Sequence, residues 1–154
     1  MSAAASDPRT FVVERSIEID RAVADAFAFV RDPMNDRLWC PKVREVRQLS
    51  GDGPAPGARY EVVHRPVPVL APRTMRCTLV SWVPDHRICW HEDDGHDQID
   101  VCYTLLDASG RTHFTQTDHV TSGAPRLFHP VIRTGIGHDV AGQLKRLRRH
   151  LEST

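Results

Sequence analysis

The stretch ICWHEDDGHDQIDVCY, residues 88–103, sets His91, Glu92, Asp93, Asp94, His96, Asp97 and Asp100 between Cys89 and Cys102. Imidazoles and carboxylates so close together are the raw material of a metal site or of acid–base catalysis. The same letters also spell two strands joined by a solvated turn. A zinc site needs about three or four ligands converging at ~2.0–2.3 Å, and its usual sign is a close pair such as CxxC or HxxxH. Here His91 and His96 straddle EDDG, and on a paired strand Cys89 and His91 face away from Glu92. The expectation is therefore no metal site, with EDDGHD forming a turn at the rim of a pocket.

Nucleophilic catalysis is expected still less, because no GxSxG elbow or other activated-serine pattern is present. General acid–base chemistry remains. His64, Glu92 and Tyr103 are the candidate catalytic groups, with Arg76 a polar neighbour of Glu92. An enclosed site can tune such side chains to polarise a carbonyl and to move a proton from an activated carbon. The competing reading is structural: Arg76 and Glu92 as a cross-strand ion pair, His64 and Tyr103 as wall residues.

What must position these groups is a run of hairpins. TFVVERSIEID alternates as a strand, and Asp20 is placed to cap a helix whose stripe is Val23, Ala26, Phe27 and Val30. Asp32-Pro33 stops that helix and starts a short second one ending near LWCP. A strand at about 42–50 is followed by five more up to residue 122, separated by short turns such as PDH, DGH and DASGR. Such spacings allow antiparallel hairpins but no crossover helices. A closing helix then repeats Leu127, Phe128, Val131, Ile132, Ile136, Val140, Leu144, Leu147 and Leu151 at threes and fours. Pro130, Gly135, Gly137 and Gly142 interrupt this pattern, read as a flexible first part, as a close approach to the sheet, or as a later helix start near 131.

Pairing assigns the strand faces. Placing Trp82 opposite Ile88 also sets Val80 opposite Trp90, Thr78 beside Glu92 and Arg76 beside Asp94, on a face expected to be concave. Tyr60, Val62 and His64 share the inward face of their strand. For the hairpin over 97–121 two registers stand open. A four-residue loop at 107–110 groups Tyr103 and Leu105 with Thr112, Phe114 and Gln116, and is preferred because it keeps Phe114 with the apolar set. A three-residue loop would turn His113 and His119 inward instead.

The chain's 154 residues suit one domain, taken as a flexible N-terminus over 1–9 and a single domain over 10–152. Basic and acidic residues are equal at 20 each, so no net field favours nucleic acid, and none is expected as a partner. No segment approaches the ~20 apolar residues of a membrane span, and no leader pattern opens the chain, so a cytoplasmic protein without stable membrane insertion is expected. The four cysteines, Cys40, Cys77, Cys89 and Cys102, sit singly and read as reduced core or wall residues.

The element order, the block DPMNDRLWCPKVREV, the GARY turn, VSWVPDHRICW and the closing amphipathic helix together resemble the START/Bet v 1-like (SRPBCC) superfamily. Within it the chain is most similar to bacterial polyketide cyclase/dehydrase-like proteins, over about residues 10–152. The resemblance implies an α+β helix-grip fold: a seven-stranded curved antiparallel sheet around a long C-terminal helix, with two short helices between strands 1 and 2. It implies an apolar central cavity for a hydrophobic small molecule, lipid-like or aromatic. The lining expected is Trp39, Tyr60, Val62, Arg76, Val80, Trp82, Trp90, Phe114, Gln116, Phe128, Ile132 and Ile136. Binding is the first functional reading; a polyketide cyclase/aromatase or dehydratase without metal or organic cofactor is the second. A third, an interaction module, would use the KRLRRH face of the last helix, for which the plain reading is a solvated surface. A monomer or weak homodimer is expected.

Overall fold

The computed structural model describes residues 9–65 and 68–154; most of the expected flexible N-terminus lies outside them. Seven strands form one antiparallel sheet: β1 (Thr10–Ile19), β2 (Val43–Ser50), β3 (Arg59–His64), β4 (Arg73–Val83), β5 (Arg87–Asp93), β6 (Gln98–Ala108) and β7 (Arg111–Thr121). Their order in space is β1-β7-β6-β5-β4-β3-β2. Strands consecutive in sequence are neighbours except β1 and β2, which form opposite edges. The link between those edges carries α1 (Val23–Val30) and α2 (Asp36–Trp39) across the sheet. The last helix, α3 (His129–Glu152), packs on β1 and α2. This is the helix-grip arrangement.

Local chemistry explains most boundaries. Asp32 accepts a hydrogen bond from the Met34 N–H at 3.0 Å and Pro33 opens the single 3-10 turn that leads into α2. Asp20 does not cap α1. That helix starts from Ala22 without a side-chain cap, and the Asp20 carboxylate instead lies 3.7 Å from Arg111. Pro130 occupies the first turn of α3, where its missing N–H costs nothing. Gly137 marks a close approach: a Cβ there would fall 2.4 Å from a guanidinium nitrogen of Arg15 on β1. The core seam of α3 is Val140, Leu144, Leu147 and Leu151, all buried.

The β6–β7 hairpin closes through a two-residue turn at Ser109 and Gly110, both with positive φ. This loop is tighter than expected but has the same parity, so Leu105 faces Phe114 and Tyr103 faces Gln116, all inward. His113 lies on the other face, paired with Glu18, and His119 is exposed.

The β4–β5 hairpin departs from expectation. Trp82 pairs with Ile88, but the next pairs are Ser81 with Cys89 and Leu79 with Trp90, leaving Val80 unpartnered in a β-bulge. One extra residue reverses every side chain before it. Val80 is 56% exposed and Arg76 is exposed on the outer face, so neither lines the interior; Leu79 and Cys77 are buried in their place.

A second correction concerns sulfur. Cys89 and Cys102 are directly opposed on β5 and β6 and are joined in a disulfide, on the outward face, whereas Cys40 and Cys77 are free and buried.

Candidate functional site

The opening motif resolves into strand ends and a turn. Asp94 accepts the N–H groups of His96 and Asp97 at 2.8 and 2.7 Å, Asp93 accepts that of Gly95 at 2.7 Å, and Gly95 sits at φ +89°. Burial works against the Asp94 charge, but those two N–H donors and Arg73 outweigh it and hold its pKa below the ordinary value. His91 faces outward, 2.7 Å from Asp100. Among the motif's imidazoles and carboxylates, Glu92 is the one that lines the interior voids, beside Trp90 and Tyr103. Among the described residues no group of three or more His, Cys, Asp or Glu side chains is arranged to hold a metal ion.

Glu92 meets a set of groups from three other elements. Asp36 of α2, His64 at the end of β3, Glu92 of β5 and Tyr103 of β6 line two adjoining voids of about 20 and 70 Å³. The larger is completed by Lys42, Gln116, Asp118, Ile136 and Gln143, among others. Together the voids fall well short of the ~300–1,000 Å³ usual for a drug-sized ligand. The expected roomy apolar cavity is thus replaced by a narrow one of mixed polar and apolar lining. Trp39, Tyr60 and Phe114 fill the difference: each is at most 1% exposed and packed in the core. Trp39 meets Tyr103 edge-on at 5.8 Å, Tyr60 meets Trp90 at 5.8 Å, and Phe114 lies 5.4 Å from Tyr103.

Burial divides the titratable groups into neutral and charged forms. It raises Glu92 to about 7, with Asp118 adding and Lys42 subtracting. It also raises Asp36, reinforced by the Glu92 carboxylate, and raises Asp118 against the pull of Gln116. Tyr103 is pushed up by burial and by Asp36, so its hydroxyl stays protonated. His64 moves the other way, to about 3, through burial and the Lys42 charge, and is a neutral imidazole at pH 7. The arrangement therefore offers neutral donors (His64, Tyr103) beside a carboxyl group poised to gain or lose a proton near neutrality.

A relay of amides fixes one wall. Gln143 of α3 donates to the Gln116 oxygen at 2.8 Å, and the Gln116 amide donates to Asp118 at 2.9 Å. Lys42 and Gln143 also line a groove of about 530 Å³ that opens between α3 and the start of β2, so the void and the groove adjoin.

Of the residues expected from the sequence, His64, Glu92, Tyr103, Val62, Trp90, Gln116 and Ile136 border the voids. Trp82 is only half-buried, 5.9 Å from Phe27 and beneath Arg31. Phe128 is 53% exposed in the turn just before α3 and Ile132 is half-buried on the helix's first turn, and neither borders the voids. Sequence reasoning missed Asp36, Lys42, Cys77, Asp118 and Gln143. Two were reachable: Asp118 follows Phe114 and Gln116 at the strand period, and Gln143 falls between Val140 and Leu144 in the helix seam.

The family described as "Polyketide cyclase / dehydrase and lipid transport" matches residues 10–152. The chain belongs to this family. Solved structures agree on the fold. TTHA0849 from Thermus thermophilus is 13% identical with a TM-score of 0.75, over 93% of this chain and 98% of that one. The di-domain ARO/CYC BexL of the BE-7585A biosynthetic pathway is 18% identical with a TM-score of 0.76, over 96% of this chain and 52% of that one. The Zhui aromatase/cyclase from Streptomyces is 12% identical with a TM-score of 0.75, over 93% and 94% of the two chains. No curated protein is similar in sequence. At these identities the polyketide cyclase/dehydrase family and the fold are shared, and no substrate is carried over. No helix among the described residues is long and apolar enough to cross a membrane.

Proposed function

We propose that this chain takes a hydrophobic, carbonyl-bearing small molecule of the polyketide kind and catalyses proton transfer on it, as a cyclase or dehydratase without a metal or organic cofactor. The observation that carries the reading is the convergence of Glu92, His64, Tyr103 and Asp36 on one interior space. Ionisable groups in a protein interior cost stability unless they are paired, and among the described residues none of these four forms an ion pair. A pocket that only carried an apolar ligand would gain by replacing them with leucine or valine.

The roles follow from protonation. Glu92, with a pKa of about 7, is the group suited to take a proton from carbon next to a carbonyl, since catalytic efficiency peaks when the pKa lies near the working pH. The carbonyl oxygen gains charge as that proton leaves. Tyr103 O–H and the neutral His64 N–H are the donors available to stabilise it. The enol so formed attacks a second carbonyl and closes a ring, or a hydroxyl β to the first carbonyl departs as water after accepting the proton from Glu92. The void admits only the reacting end, so the substrate's body lies in the adjoining groove.

The test is deuterium exchange at the activated carbons of a poly-β-ketone, followed by NMR. Wild-type protein is expected to accelerate exchange, with a rate that rises through pH ~7. Glu92→Gln is expected to lower the rate by about 10²-fold or more, with ligand affinity retained. Binding without accelerated exchange in the wild type would leave only the carrier reading, which the family description also accommodates.

A further inference from the structure

The groove beside α3 carries a charge the molecule as a whole does not. Lys42, Arg44, Arg65, Lys145, Arg146 and Arg149 line it, with Asp139 as its lone carboxylate, although the chain's acidic and basic residues balance. Among the described residues, the arginine ion pairs are formed by Arg47, Arg73 and Arg111, and none of the six groove cations takes part in one. Six like charges around a concavity of about 530 Å³ repel one another and focus a positive potential into it.

A second observation points to an occupant. Gly142 lies on α3 at the groove, where a helical glycine costs roughly 1 kcal/mol relative to alanine. Among the described residues a Cβ there would meet nothing within 4 Å, so no packing among them accounts for the glycine. Its effect is to leave the groove open.

We propose that this groove binds the phosphate or diphosphate group of a small-molecule ligand. Guanidinium forks match phosphate oxygens in pairs, and four arginines with two lysines exceed what a single carboxylate would neutralise. Among the described residues no Phe, Tyr or Trp lines the groove and His138 is its one aromatic ring, short of the successive stacking platforms of a single-stranded nucleic-acid site. The anion site rests on its own charges; only the direction of the ligand's body, past Lys42 and Gln143 toward Glu92, rests on the function proposed above.

The experiment is calorimetric titration of the full chain with inorganic pyrophosphate at about 0.15 M salt, where exposed charges more than ~8 Å apart are screened, with sulfate at equal ionic strength as control. Saturable one-to-one binding is expected for pyrophosphate and not for sulfate. Arg146→Ala with Arg149→Ala is expected to weaken it about tenfold or more. Gly142→Leu keeps every cation but fills the groove, and should weaken binding about as much while thermal melting shows the fold retained. Absence of saturable binding in the wild type, or affinity unchanged in both variants, overturns the proposal. So does binding confined to single-stranded DNA or to anionic vesicles, which would mark a macromolecular surface instead. Glu92→Gln should leave pyrophosphate affinity unchanged, so loss of exchange activity and loss of anion binding are separable failures.

Discussion

The Gln116 side-chain amide reaches both carboxylate oxygens of Asp118, at 2.9 and 3.2 Å, on the inner face of β7 where each residue is about 5% exposed or less. A buried carboxylate with one amide for company is a costly feature, and Gln116 is what keeps the Asp118 pKa from rising further. Gln116→Leu would strand that carboxylate. The expected loss is about 1–3 kcal/mol at pH 7, read by urea unfolding, and it should shrink as pH falls, because burial raises the Asp118 pKa and the isolated carboxyl takes up its proton earlier in the folded protein than in the unfolded chain.

Glu92 and His64 oppose one another in their effect on stability against pH. The folded Glu92 pKa lies near 7, above its unfolded value of 4.5, so folding favours the protonated form and stability falls as pH rises from about 4.5 to 7. The folded His64 pKa lies near 3, below its unfolded 6.5, so folding favours the neutral form and stability falls as pH drops from about 6.5 to 3. Between pH 4.5 and 6.5 the two slopes cancel. Removing either should expose the other: Glu92→Gln gives a stability that climbs with pH by up to ~1.4 kcal/mol per unit in that window, and His64→Ala gives one that declines. Chemical denaturation at half-unit pH steps reads both; parallel curves for the two variants would contradict the opposed shifts.

The fold was legible because period-2 runs, turn chemistry and the α3 stripe all agree, and the polar site was legible only in part. Strand parity correctly turned Tyr103, Gln116 and Glu92 inward and His91 outward. It failed along β4, turning Arg76, Thr78 and Val80 inward, because nothing in LVSWVPDHRICW, residues 79–90, marks a bulge: Val80 is as apolar as Leu79. The physical preference appears only once the sheet must bend, since the bulge lets Leu79 and Cys77 join the core while Trp82 stays on the same side as Ile88. The smallness of the cavity was likewise invisible, because the volume filled by Trp39, Tyr60 and Phe114 depends on how elements distant in sequence pack.

The bulge is testable by contrast between neighbours. Leu79→Ala should cost about 2–5 kcal/mol, as for other fully buried leucines, whereas Val80→Ser should stay within about 0.5 kcal/mol. The regular register predicts the reverse order.

The Cys89–Cys102 bridge links directly opposed residues of β5 and β6 across a separation of 13 positions, with Arg87 donating to the Cys89 sulfur at 3.3 Å. Closing a loop of that length removes unfolded-chain entropy equivalent to about 3 kcal/mol, less whatever strain the native bond carries. Because both strands present Glu92 and Tyr103 on their opposite face, the bond also fixes the register that brings these groups together. Reduction, or paired Cys89→Ser and Cys102→Ser, should lower stability by up to about 3 kcal/mol without unfolding the sheet, whose ladder hydrogen bonds do not depend on sulfur. Thiol labelling under denaturing conditions provides the check: two reactive thiols, Cys40 and Cys77, before reduction and four after it. Four thiols at the outset would show that the bridge does not form in solution, and the stability of the reduced and untreated protein would then be equal.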